Sequence, residues 1–103
     1  MKYLIAWKPR MSGSVNENEA GIARVLDVYG KWTAPSDATI HQFVLRLDGE
    51  GGFAVVETDN PATVGDGPFK FLPYVEYAVY PVVDVAEGVS LLSQGIEFRK
   101  SVT

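Results

Sequence analysis

His41 is the only histidine in the chain, and so the only side chain that titrates near neutrality without a shift. It lies in a run with strand alternation. A histidine there can serve as a general base or an axial haem ligand, or it can be an ordinary strand histidine with one hydrogen bond, which is the commoner use. Glu57 is the second candidate. It follows Phe53-Ala54-Val55-Val56, so a carboxylate stands near the end of an apolar strand. If it were buried there, its pKa would rise and suit it to proton transfer. Pairing with Arg46 or Lys8, or plain exposure at the strand end, are the simpler alternatives.

The aromatic residues form a third group. Trp7, Trp32, Tyr74, Tyr77 and Tyr80 are candidates to line an apolar pocket, although core and interface packing is the usual role of such residues. Phe69, Phe71 and Tyr74 flank a glycine-rich stretch that could move as a lid. Among these, Trp7, Tyr77 and Phe71 are the candidate ligand contacts. Asp48-Gly49-Glu50-Gly51-Gly52 lacks the calcium-loop spacing and opens no helix, so it reads as a hairpin turn. No serine-hydrolase arrangement occurs. One histidine and no cysteine leave too few soft donors for a transition-metal site. No metal or cofactor is expected.

These residues must be positioned by a small fold. Tyr3 to Trp7 is apolar in both parities and ends at Pro9, which reads as a strand buried on both faces. Ser14 followed by Glu17 is a capping box. After it Val15, Ile22, Leu26 and Tyr29 recur at helical spacing until Gly30. Thr39 to Leu47 alternates, with His41, Phe43, Leu45 and Leu47 on one side and Ile40, Gln42, Val44 and Arg46 on the other. Phe53 to Thr58 is a third strand. Asn60-Pro61 starts a helix that Gly65, Gly67 and Pro68 interrupt. Val75 to Val82 is a fourth strand, and Asp84 caps a last helix with the stripe Val85, Val89, Leu92 and Ile96.

The order is β-α-β-β-α-β plus a C-terminal helix, the split βαβ or ferredoxin-like pattern of an α+β protein, as one domain over residues 1–103. Right-handed crossovers put both main helices on one face of the sheet. The other face would be wet in a lone chain, yet three of the strands carry apolar residues in both parities. The C-terminal helix could cover part of that face and a second copy of the sheet all of it, so a homodimer is expected.

Composition narrows the partners. Nine Lys+Arg against 13 Asp+Glu give a net charge of −4, with the basic residues scattered, which argues against nucleic acid. No run approaches membrane-spanning length, and the five-residue apolar run near the N-terminus is too short for a signal-peptide core. A cytoplasmic location is the default expectation.

Three stretches carry a resemblance: Met1-Lys2-Tyr3-Leu4-Ile5-Ala6-Trp7-Lys8, Gly51-Gly52-Phe53-Ala54-Val55-Val56-Glu57-Thr58-Asp59, and Tyr80-Pro81-Val82-Val83-Asp84. In that order they resemble the uncharacterised DUF3303 family, within the dimeric α/β-barrel group of ferredoxin-like proteins. The resemblance implies the fold and a dimer, and no activity. Ala62 to Pro73 departs from it, since relatives carry a regular helix there. The wider group includes cofactor-free monooxygenases, lactone isomerases, haem-degrading enzymes and proteins without known chemistry, so fold alone selects no function.

Two readings follow. The first is a dimeric module that binds a small apolar or aromatic molecule, or a structural protein. The second is a cofactor-free enzyme, monooxygenase- or isomerase-like, acting on a small aromatic or lactone-like substrate. It would use His41 or Glu57 for proton transfer and tyrosines to position the substrate in a cleft between helices and sheet.

Overall fold

Strand β1 (Lys2–Pro9) runs through the middle of a four-stranded antiparallel sheet in a computed structural model that describes residues 1–102. The sheet order is β2-β3-β1-β4, with β2 at Thr39–Leu45, β3 at Gly52–Glu57 and β4 at Val75–Val82. Four helices complete the mixed α/β fold: α1 (Val15–Lys31), α2 (Pro61–Val64), α3 (Asp66–Lys70) and α4 (Val85–Ser101).

Side-chain parity separates two faces. Ile5, Trp7, Ala54, Val56, Val75 and Tyr77 point toward α1, α2 and α3. The small core is there, built on Ile5, Ala54, Val56 and Val64, with Phe71 and Val75 also buried. The opposite face carries Leu4, Ala6, Val44, Phe53, Val55 and Tyr80, and among the described residues no element is laid across it. Its centre is apolar and its ends are charged. Lys2–Asp84 and His41–Glu57 pair at one end, and Lys8–Glu76 and Arg46–Asp48 at the other.

The alternation expected for β2 breaks at His41. Ile40 pairs with Val56 and Gln42 with Val55, so His41 is the extra residue of a β-bulge. Past it the parity flips. Ile40, Phe43 and Leu45 face the helices, whereas His41, Gln42 and Val44 lie on the open face. The strand also stops at Leu45, because Arg46 N–H already bonds the Gly51 carbonyl as the hairpin closes and Leu47 is fully exposed in the turn.

Caps explain the helix boundaries. The Ser14 hydroxyl oxygen accepts from the Glu17 N–H, as the capping box requires, while the Ser14 hydroxyl donates to the Glu17 carboxylate. The interruption after Asn60 is a single break at Gly65. Gly67 and Pro68 sit in the first turn of α3, where a missing N–H costs no helical hydrogen bond. Asp84 occupies the N-cap position of α4 but makes no capping bond, because its carboxylate is held 2.8 Å from the Lys2 ammonium.

α4 departs from the expected packing. It has no buried residue, and Val85, Val89, Leu92 and Ile96 are all exposed. The chain measures 62 × 31 × 22 Å with a radius of gyration of 18.0 Å. A compact chain of this length would have a radius of about 13 Å. The last helix therefore stands away from the domain. No helix among the described residues is long and apolar enough to cross a membrane.

Candidate functional site

The helix-facing side of the sheet encloses a cavity of ≈490 Å³. The crossover from β3 to β4 produces it. In place of one long helix stand the short α2 and α3, four and five residues long. α1 itself buries no residue fully, and its Leu26 and Tyr29 stand at the mouth.

Six aromatic rings line the space: Trp7, Tyr29, Trp32, Phe43, Phe71 and Tyr77. They form a connected set, mostly edge to face with the Trp7–Tyr77 and Tyr29–Trp32 pairs tilted. Trp7 lies 5.4 Å from Phe43 and 6.3 Å from Tyr77, and Trp32 lies 6.2 Å from Phe43 and 6.0 Å from Phe71, centroid to centroid. These separations fall in the favourable range for aromatic pairs. Ile5, Ala54 and Val56 form the floor. Among the described residues no charged side chain lines the cavity.

Its polar groups are few. Burial pushes the Tyr77 phenol up to about 12, so it stays neutral and available as a hydrogen-bond donor. At the rim the Trp32 indole N–H donates to Asp66 at 2.9 Å, tying the end of α1 to α3. Lys70, and then Trp32, hold the Asp66 carboxyl below its ordinary value. The Thr63 hydroxyl donates to Asp37, and the buried Thr58 hydroxyl donates to the Asp37 carbonyl, which fixes the loop before β2.

Trp7 owes its place to the glycines opposite. A Cβ on Gly52 would collide with the Val44 carbonyl oxygen and would lie 2.6 Å from the Trp7 indole. Gly51 takes φ +109°, a conformation side chains disfavour, directly against the Trp7 backbone. Gly52 thus lets the indole, and Gly51 the Trp7 backbone, come close to the start of β3.

Trp7, Tyr77 and Phe71 all line the cavity, together with Trp32 from the wider aromatic group. Tyr80 points to the open face beside Leu4, and Tyr74 and Phe69 are not among the lining residues. Sequence reasoning missed Tyr29 and Phe43. Tyr29 was legible as part of the α1 stripe, but the bulge hid the true facing of Phe43.

His41 and Glu57 are brought together, and away from the cavity. His41 Nε2 donates to Glu57 Oε1 at 2.7 Å on the open face, with the two side chains 40% and 47% exposed. Since an ionised carboxylate only accepts, the ring proton belongs on Nε2. The His41 hydrogen bond is the main reason the Glu57 carboxyl sits below its ordinary value, against a smaller opposing effect of desolvation. That is the reverse of the shift a carboxyl general acid needs near neutrality.

Set beside known sequences, the chain finds no similar curated protein. A family model, described as a domain of unknown function, matches residues 1–96, nearly the whole chain. The match ends within α4, so it takes in the entire sheet, the aromatic cavity and most of the projecting helix. The chain belongs to the DUF3303 family.

Proposed function

We propose that the protein binds a small, apolar, aromatic molecule in the cavity between its helices and its sheet. One observation carries this: ≈490 Å³ of space walled by six aromatic rings, with no charged group in the wall. The volume lies in the usual range for small-molecule sites, and such sites are mostly apolar with a few orienting polar groups. The Tyr77 phenol is the orienting group, a neutral donor for a carbonyl, ether or phenol oxygen on the ligand.

Trp7 and Trp32 are the only tryptophans and both line the cavity, so tryptophan fluorescence reports on this site. Titration with 4-nitrotoluene, a neutral aromatic quencher, is expected to give saturable quenching that toluene competes away. Quenching that stays linear in concentration and ignores toluene would rule out a binding site. The two groups that the enzymatic reading would use, His41 and Glu57, pair on the face opposite the cavity.

The strand order β2-β3-β1-β4, with the crossing helices on one face, supports a ferredoxin-like arrangement. The apolar centre of the open face supports a homodimer in which two sheets pack face to face, as in dimeric α/β barrels. Val55 lies at that centre, half-buried by its neighbours. Val55→Glu is expected to give a monomeric mass by light scattering with the fold retained by circular dichroism.

A further inference from the structure

We infer that α4 is an exchanged arm, whose apolar side lies against a second copy of this chain and not against its own domain. The inference rests on the homodimer just proposed and adds to it which segment crosses between subunits. Four observations carry it.

First, α4 has too much apolar surface to be left in water. Val85, Val89, Leu92 and Ile96 form one stripe and Leu91 and Phe98 a second, with Gly88 and Gly95 between them. Together they span about half the helix circumference, at 100° per residue. Leu92 and Phe98 are each 69% exposed.

Second, the exposed area is too large for a lone chain. The accessible surface is 7608 Å² at a mass of 11.3 kDa. A compact monomer of that mass exposes about 5,700 Å². The excess, roughly 1,900 Å² per chain, exceeds the ~800 Å² that each partner contributes to a standard interface, and roughly 3,800 Å² for two chains falls in the range of obligate dimers.

Third, the arm is rooted at the open face. Asp84, immediately before α4, is held to Lys2 on that face of the sheet, at the end where His41 and Glu57 pair. α4 therefore starts from the side where a second sheet would lie. At ~1.5 Å per residue its 17 residues reach about 25 Å, enough to run along a facing domain of this width.

Fourth, the open face and the arm belong to the same chain, so one two-fold operation covers both in both copies. A different partner would have to match two unrelated surfaces at once.

The test uses the whole chain. Leu92→Glu with Ile96→Glu alters two exposed positions that take no part in the core. The double variant is expected to keep its circular dichroism spectrum and to raise the dimer dissociation constant roughly 100-fold or more. In the unaltered chain, hydrogen exchange should show α4 amides protected at high concentration and losing protection on dilution, while β1 and β3 amides stay protected. A dimer that survives the double substitution, with α4 unprotected or its protection independent of concentration, overturns the exchanged arm and leaves the sheet-to-sheet dimer standing. A monomeric mass for the unaltered chain at high concentration overturns both.

Discussion

His41 Nε2 lies 2.7 Å from Glu57 Oε1, and the β-bulge at that point puts this pair on one face of the sheet and Phe43, two residues on, on the other. Without the extra residue, His41 and Phe43 would share a face, and the histidine would stand with the aromatic cavity. The bulge therefore decides a functional question: it separates the titrating groups from the apolar space and places them on a charged end of the open face.

That placement has a pH signature. Glu57 is held below its ordinary value chiefly by His41, Asp84 by Lys2, Asp48 by the Glu50 N–H and then Arg46, and Asp66 by Lys70 and then Trp32. A carboxyl lowered on folding stabilises the native state above its unfolded pKa, and that contribution is lost as pH falls through the folded value. The thermal midpoint is thus expected to drop on acidification below about pH 5, the upper edge of the carboxylate range. Glu57→Gln should narrow the difference between neutral and acid midpoints. Glu57, Asp48 and Asp84 are about half exposed or more, so salt should weaken their share of the effect. A midpoint that holds steady from neutral pH to strong acid would show that these pairs contribute nothing.

Tyr77 makes the complementary case at high pH. Its value near 12, against 10.0 for the free phenol, comes from burial alone. A group raised on folding contributes stability below its unfolded pKa that disappears as pH rises through the folded one. Of the five tyrosines, one is expected to ionise last in a spectrophotometric titration, in the window between about 10 and 12, and to be missing from Tyr77→Phe. If all the phenols of the native protein ionised together near 10, the side chain would be in water and the cavity open to solvent.

Gly52→Ala tests how the cavity wall is built. The added methyl meets the Val44 carbonyl oxygen, which is fixed in the β2–β3 ladder, and the Trp7 ring, which is not. The ring can turn aside, but the carbonyl contact is relieved only if the β2–β3 backbone also shifts. Overpacking of this kind costs roughly 1–3 kcal/mol, and denaturant unfolding should register it. The Trp7 displacement should also shift the native emission maximum, a change that a purely local loss of stability would not produce. Unchanged stability and emission would mean that the close approach is absent in solution.

Much of the sheet was legible because its signals are local. Ser14 with Glu17 fixed the start of α1, and Asn60-Pro61 that of α2. The apolar run from Val75 gave β4 its full length. What was hidden depended on relations between strands. The bulge at His41 arises from how β2 registers with β3, and nothing in Thr39 to Leu47 marks it, so the facing of Phe43 and its place in the cavity could not be read. Asp84 reads as a helix cap from its position, but Lys2, distant in sequence, takes its carboxylate. The α4 stripe reads as that of a packed helix, yet its residues are exposed in this chain, since a stripe carries no information on what it packs against.

Gly65 offers a last test, at the break between α2 and α3 that leaves the cavity uncovered. Its φ of −76° and ψ of −9° are helical, so any L residue fits the backbone there. Alanine would restrict the unfolded chain and favour the helical conformation, a gain of about 0.4–1 kcal/mol where space allows. Space depends on Phe69, whose ring carbons lie 3.2 Å from the position of a new Cβ. That ring is 79% exposed and can rotate toward solvent. Gly65→Ala should therefore raise stability by about 0.5 kcal/mol in denaturant unfolding. Gly65→Ala with Phe69→Ala should show the same gain relative to Phe69→Ala alone. A destabilised single variant, rescued by removing the ring, would show instead that Phe69 is held in place. Something not contained in this one chain would then be covering it, on the flank of the cavity next to α3.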